Sequence, residues 1–254
     1  VTMALAQGAK LHGAHICQHL PALDLSEQSD GSWHVSTAKG TIHANTVRPL
    51  RIVNCTGFWG RELLQGCLNV DLPLVTIEHQ YVITNSIAQV AARGNDELPV
   101  IRDLEASYYL RQERTGMLVG PYEAVSMVET AQGTDMKVRT DWQSDGVPRG
   151  FGKELFAPDV DRILPHLEAA MHRMPVLEEA GLQNVTCGPM CYAPDALPLV
   201  GYLPHRRLRN VFIANGMSYG IAHGGGCGDY VAKWILHGEP PYDLTEIDPA
   251  RYES

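Results

Sequence analysis

One strand-to-helix junction, dense in glycine, restricts this chain more than any other feature. Residues 211–214 read as a short buried strand. Gly216-Met217-Ser218-Tyr219-Gly220-Ile221-Ala222-His223-Gly224-Gly225-Gly226-Cys227-Gly228 follows at once. An apolar helix end over residues 230–236 comes next, closed by Gly238 and Pro240-Pro241. Glycine at a strand end lets backbone approach a ligand closely and frees amides to donate. The helix behind it turns its positive N-terminal end toward the same place. Two readings stay open: a ligand cradle, or glycines that let a helix cross a strand at short range. A phosphate P-loop is excluded, because no Lys-Ser or Lys-Thr follows. No strand-GxGxxG-helix element occurs anywhere in the chain.

The first third carries the same style. Residues 1–14 read as a helix with an apolar stripe at Val1, Leu5, Ala9 and Leu11. A strand is expected within 15–25 and a small hairpin over 33–44 around Lys39-Gly40. The buried strand Arg51-Ile52-Val53-Asn54-Cys55-Thr56-Gly57 then enters a glycine turn, with helical spacing after it. That order suggests a nucleotide-binding α/β domain. A second region begins near Pro73, with strands expected at 76–84, 107–112 and 117–120. A polar excursion over 126–150 precedes a helix that opens near Pro158-Asp159 and is expected to break at Pro165, with another over 171–180. Short strands are expected at 185–187 and 211–214.

Bulk properties narrow the function. At 254 residues the chain buries a substantial core, and its net charge of −9 argues against a nucleic-acid partner. No apolar run approaches the roughly 18 residues of a membrane-spanning helix. The cysteines at 17, 55, 67, 187, 191 and 227 form no CxxC and have no His-x3-His partner, which argues against zinc; several, Cys55 among them, sit in strand-like apolar runs where a buried reduced thiol is expected. The chain opens within an element and without Met, so it is expected to be part of a longer protein.

Several side chains could carry chemistry. His79 sits in the strand Glu78-His79-Gln80-Tyr81, and Tyr108 and Tyr109 in the strand after Ser107. Histidine titrates nearest neutrality, and tyrosine can orient or relay a proton. A strand alternates faces, so only one of Tyr108 and Tyr109 can enter a given cavity. Arg102, Arg111 and Arg114 could each clamp a carboxylate with two hydrogen bonds.

Ordered segments along the whole chain resemble the FAD-dependent dimethylglycine/sarcosine dehydrogenase family. They are Val53-Asn54-Cys55-Thr56-Gly57-Phe58-Trp59, Glu78-His79-Gln80-Tyr81-Val82, Ser107-Tyr108-Tyr109-Leu110-Arg111-Gln112-Glu113-Arg114, Gly120-Pro121-Tyr122-Glu123, Leu197-Pro198-Leu199-Val200-Gly201, the glycine run and Trp234-Ile235-Leu236-His237-Gly238. Within that family the likeness is strongest to the members that oxidise dimethylglycine.

The resemblance implies a mixed α/β fold, D-amino-acid-oxidase-like: a partial Rossmann-like FAD domain interrupted by an antiparallel substrate sheet. The expected boundaries are 1–72 and 197–238 for the FAD part, 73–196 for the substrate part, and 239–254 as a connector. It implies oxidative N-demethylation of dimethylglycine, with His79 and Tyr108 on the substrate side of the flavin. Cofactor contacts are implied at Ala22, Thr56, Gly57, Trp59, Gly216, Met217, Ser218, Tyr219, Gly220, Ile221 and Ala222. The helix end behind the glycine run would then stabilise negative charge on the reduced flavin ring. Tetrahydrofolate on a further domain, an electron-transfer flavoprotein as acceptor and the mitochondrial matrix belong to the same expectation. The family's tethering histidine is not found in this sequence, and residues 46–50 read as an insertion. Sarcosine dehydrogenase and a non-catalytic regulatory subunit of pyruvate dehydrogenase phosphatase are the alternatives.

Overall fold

The computed structural model describes residues 1–44, 51–123, 136–203 and 210–252. In chain order the elements are α1 (Thr2–Leu11), β1 (Ala22–Glu27), β2 (Trp33–Thr37), β3 (Gly40–Ala44), β4 (Ile52–Asn54), α2 (Gly60–Leu68), β5 (Val75–Thr84) and α3 (Ala88–Ala91). Then follow β6 (Ile101–Asp103), β7 (Tyr108–Glu113), β8 (Gly116–Pro121), β9 (Lys137–Val138), α4 (Thr140–Asp145), α5 (Val160–Arg173) and α6 (Leu177–Ala180). The chain closes with β10 (Leu182–Tyr192), β11 (Leu199–Tyr202), β12 (Val211–Asn215) and α7 (Gly220–His237). It divides into two compact units: Val1–Val75 with Asp145–Val147 and Cys191–Ser254, and Thr76–Ser144 with Pro148–Met190. The proposed insertion at 46–50 lies outside the described residues.

The first unit holds two small sheets. β1, β2 and β3 form an antiparallel meander, with Trp33 and Leu25 turned into the core. Asp30 makes the β1–β2 turn by accepting from the Ser32 amide at 2.9 Å. In the second sheet β12 lies between antiparallel β11 and parallel β4. Leu64 of α2, Leu72, Leu74, Leu199, Val211 and Ile213 pack into one core with Trp33. A further cluster joins Phe212 to Tyr230 and Val231 of α7. The opening helix ends at Leu11, short of the expected residue 14, and none of its residues is buried.

The second unit is built on one sheet in the order β10-β5-β8-β7-β6, with β9 also on β5. The β5–β8, β7–β8 and β6–β7 pairs are antiparallel. One face of it is closed by α5, whose Ile163, Leu167 and Ala170 pack with Val82, Tyr108, Leu110, Met117 and Val119. Asp159 caps α5 by accepting from the Arg162 amide at 3.3 Å. The helix does not break at Pro165. It forfeits one hydrogen bond near its first turn and is held by the buried face on either side. The expected strand at 185–187 is the middle of a much longer one, Leu182–Tyr192, because it has β5 to pair with along the sheet edge.

Candidate functional site

In the first unit, parallel β4 and β12 end side by side, and their carboxyl ends are tied together by two buried asparagines. The Gly57 amide donates to Asn215 Oδ1 at 2.9 Å, and Asn215 Nδ2 donates to the Asn54 carbonyl at 3.3 Å. Asn54 Oδ1 in turn accepts from the Thr56 amide at 3.0 Å and hydroxyl at 2.7 Å. Loops at the carboxyl ends of parallel strands are where open α/β sheets take ligands. Thr56, Gly57 and Gly216 are thereby fixed in one place. Sequence reasoning passed over Asn54 and Asn215; a polar residue closing each of two apolar strands was the available signal.

Both loops need glycine. Gly57 has φ +60° and Gly216 φ +68°, in the left-handed region, and a side chain on Gly216 would crowd the Ala193 amide at 3.2 Å. Trp59 is 37% exposed and stacks on Phe58 at 3.9 Å. Met217 and Ser218 are half-buried, with Met217 against the Phe212 cluster. Tyr219 begins α7, and Gly220, Ile221 and Ala222 are exposed in its first turn. A helix start leaves its first amides without intrahelical acceptors. A Cβ at Gly220, Gly224, Gly225, Gly226 or Gly228 would meet no atom of the described chain. Close helix-to-strand packing within this chain therefore does not explain these glycines. A surface of bare backbone beside a helix N-terminus fits a large planar anion-bearing cofactor. Ala22 lies on the other small sheet, at the exposed start of β1.

In the second unit, the face of the sheet away from α5 is polar and aromatic. Along β5, Glu78, Gln80, Val82 and Thr84 are buried while His79, Tyr81 and Ile83 are half-buried. Along β7, Tyr108 and Leu110 are buried and Tyr109 is half-buried. The expectation paired His79 with Tyr108, but the two lie on opposite faces. Tyr108 is 0% exposed and belongs to the core beneath α5, with its hydroxyl near the Asp103–Arg173 ion pair. The tyrosine that shares the His79 face is Tyr109. Its ring covers Gly120, where a Cβ would fall inside the ring, and packs on Tyr122 at 5.4 Å. Burial first, then Tyr122, pushes the Tyr109 phenol up.

Beneath this face lies a buried charge cluster. Glu78 is 2% exposed and pairs with Lys137 at 3.1 Å and Arg139 at 3.2 Å. Arg162 of α5 pairs with Glu123 at 2.6 Å and donates to the Glu78 carbonyl at 3.3 Å. Burial, only partly offset by Arg162, raises Glu123 to about 7. Burial and the positive charge of Arg162 lower His79, so its imidazole is neutral at pH 7. Neither Glu123 nor Arg162 was singled out from the sequence, because what marks them is their depth. Burial also raises the thiols of Cys67, Cys187, Cys191 and Cys227, which leaves no activated thiolate among these, whereas Cys55, expected to be buried, is exposed just past the end of β4. No group of residues suited to a metal ion occurs among the described residues, and no helix there is long and apolar enough to cross a membrane.

The first unit offers a glycine-lined loop at parallel strand ends and the second an antiparallel sheet bearing His79 among tyrosines, features that fit the fold of flavin-dependent oxidoreductases. The chain belongs to the FAD dependent oxidoreductase family, whose model matches residues 1–234. It is 50% identical over 99% of its length to mitochondrial dimethylglycine dehydrogenase of Mus musculus, and 34% identical over 98% to mitochondrial sarcosine dehydrogenase of Homo sapiens. It spans 27% and 25% of those two proteins. L-Proline dehydrogenase from P. horikoshii shares the fold with a TM-score of 0.75 at 22% identity, over 99% of this chain and 59% of that one.

Proposed function

We propose that the protein containing this chain oxidises an N-methyl group of dimethylglycine, yielding sarcosine. The observation that carries this reading is the 50% identity to dimethylglycine dehydrogenase along 99% of the chain, against 34% to sarcosine dehydrogenase. FAD, when bound, supplies the electron acceptor. Thr56, Gly57, Trp59 and residues 216–222 would hold it through backbone amides and the start of α7. The chain's own residues then have to present the substrate amine unprotonated, because only a nitrogen lone pair can stabilise positive charge building at the neighbouring carbon. His79, held neutral by burial and Arg162, accepts the ammonium proton. Tyr109, fixed over Gly120 and against Tyr122, orients the amine on the same face. Tyr108 sets the position of β7 from the core side.

Tetrahydrofolate as acceptor of the one-carbon unit, an electron-transfer flavoprotein as oxidant and the mitochondrial matrix as location complete the proposal. A purely regulatory role gains no support from a face that keeps a neutral histidine among tyrosines. The test is anaerobic stopped-flow flavin reduction by dimethylglycine in the full-length protein, with His79→Ala beside it. The variant is expected to be slower by about 100-fold or more, in the range of a lost general base. An unchanged rate would remove His79 from the chemistry.

A further inference from the structure

One turn of α5 grips β5 on both sides of His79. Glu78 and Gln80 point to the α5 side of the strand, and His79 between them points to the other. On one side, Arg162 Nη2 donates at 3.3 Å to the Glu78 carbonyl, in the peptide group that carries the His79 amide. On the other, Gln80 Nε2 donates to the Asp159 carbonyl at 2.7 Å, while Gln80 Oε1 accepts from the Asp159 amide at 3.0 Å. Asp159 is also the residue whose carboxylate caps α5 on the Arg162 amide. The two grips therefore belong to a single rigid turn.

Packing alone does not call for this grip. Farther along α5, Ile163, Leu167 and Ala170 hold the sheet through apolar contacts. A buried ion pair adds little net stability over apolar groups of the same volume. Gln80 is 0% exposed, and its two hydrogen bonds fix the strand to the helix at one position and in one register.

The same turn brings a charge. The Arg162 side chain is 8% exposed and lies 2.6 Å from Glu123. Glu123, raised by burial to about 7, carries its proton in the acid range and leaves Arg162 a cation without a counter-charge there. Glu78 is taken up by Lys137 on β9 and by Arg139. Cys187 on β10, its thiol raised by burial, adds no charge. On the face of His79 itself stand Tyr81, Tyr109 and Tyr122, with the Arg102 guanidinium over the Tyr122 ring. A cation held one peptide group away favours the neutral imidazole, in the same direction as burial.

We propose that Gln80 and Arg162 are positioning residues for His79: Gln80 locks the strand to α5 and so fixes where the imidazole stands, and Arg162 sets its charge. This rests on the oxidase reading above, in which His79 accepts the ammonium proton.

The experiment uses the full-length flavoprotein. The limiting rate of anaerobic flavin reduction by dimethylglycine is measured against pH. The neutral imidazole is read separately, without turnover, from the pH dependence of His79 ethoxycarbonylation, by mass spectrometry of its peptide. Arg162→Gln is combined with Glu123→Gln, so that no buried carboxylate loses its partner. In this double variant both midpoints are expected to rise by about one pH unit, the effect of removing a nearby cation. Arg162→Lys keeps the charge, and Glu123→Gln alone imitates the protonated acid; both leave the midpoints in place. Gln80→Met, similar in size but unable to make the two bonds, is expected to slow the limiting rate about 10-fold. Its midpoints and its dissociation constant for dimethylglycine stay as in the wild type.

Wild-type midpoints in the double variant would overturn the role of Arg162, and so would an equal rise in Arg162→Lys. An unchanged limiting rate in Gln80→Met would overturn the role of Gln80. A labelling midpoint that rises while the rate profile stays put would keep the action of Arg162 on His79 and overturn His79 as the base of the oxidase reading.

Discussion

The two faces of the second unit's sheet use the same strands for opposite purposes. Toward α5, Val82, Tyr108, Leu110, Met117 and Val119 are buried to within a few per cent, and their neighbours are aliphatic. Away from it, His79, Tyr81, Tyr109 and Tyr122 remain half-buried, and Arg102 is exposed. Adjacent residues in one strand therefore meet different surroundings: Tyr108 the aliphatic core, Tyr109 the polar and aromatic face. The period of two along a strand enforces this separation, and no local composition could reveal which tyrosine belongs where.

The contrast can be broken most severely from the packed side. Tyr108→Ala should cost about 3–5 kcal/mol of stability, in the range of a truncated buried aromatic, read as a shift in the urea midpoint of the full-length protein. Tyr109→Ala, one residue on, should leave stability within about 1 kcal/mol and instead slow flavin reduction. Equal stability losses for the two would erase the distinction between the faces. Arg162→Met should also cost about 3–5 kcal/mol, because it removes the ion-pair partner of the buried Glu123, while Glu78 keeps Lys137 and Arg139.

A smaller effect sharpens the comparison through pH. Glu123 is held at about 7 in the folded state against 4.5 as the ordinary value, so the native protein binds its proton more tightly than the unfolded chain. Its contribution to stability is complete below pH 4.5 and is lost as pH rises through about 7. Glu123→Gln should remove that downward slope between these limits, which denaturant titrations at several pH values would read. A slope that persists unchanged would assign it to another group. In the first unit, Asn215→Ala should cost about 1–3 kcal/mol by leaving the Gly57 amide without its acceptor.

The most legible parts of this fold are those whose signal is local. The β2–β3 hairpin follows from alternation around Lys39-Gly40, and β5, β7 and β8 from β-branched and aromatic runs, each within a residue or two of the structure. The glycine run located the α7 start for the same reason. What escaped the sequence depends on partners distant along the chain. The length of β10 is set by β5, the depth of Glu123 and Arg162 by α5 lying over the sheet, and the Asn54–Asn215 tie by a parallel pairing across 161 positions. His79 stands out in the sequence by its side-chain type, whereas its half-buried place on the polar face comes from the sheet. The choice between Tyr108 and Tyr109 needed the phase of the strand relative to a helix 50 residues downstream, which periodicity alone does not carry.

The exposed glycines of α7 bear on how that helix comes to be ordered. Each of Gly220, Gly224, Gly225, Gly226 and Gly228 weakens a helix by about 1 kcal/mol relative to alanine, so their half is intrinsically close to coil. The other half is moored by Tyr230, Val231 and Trp234. Helix formation in α7 must then propagate backward, from its carboxyl end toward the loop. A cofactor bound against the backbone surface of its first two turns would then be what stiffens them. Cofactor loading would register as slowed amide hydrogen exchange over residues 220–228, while residues 230–236 stay protected throughout.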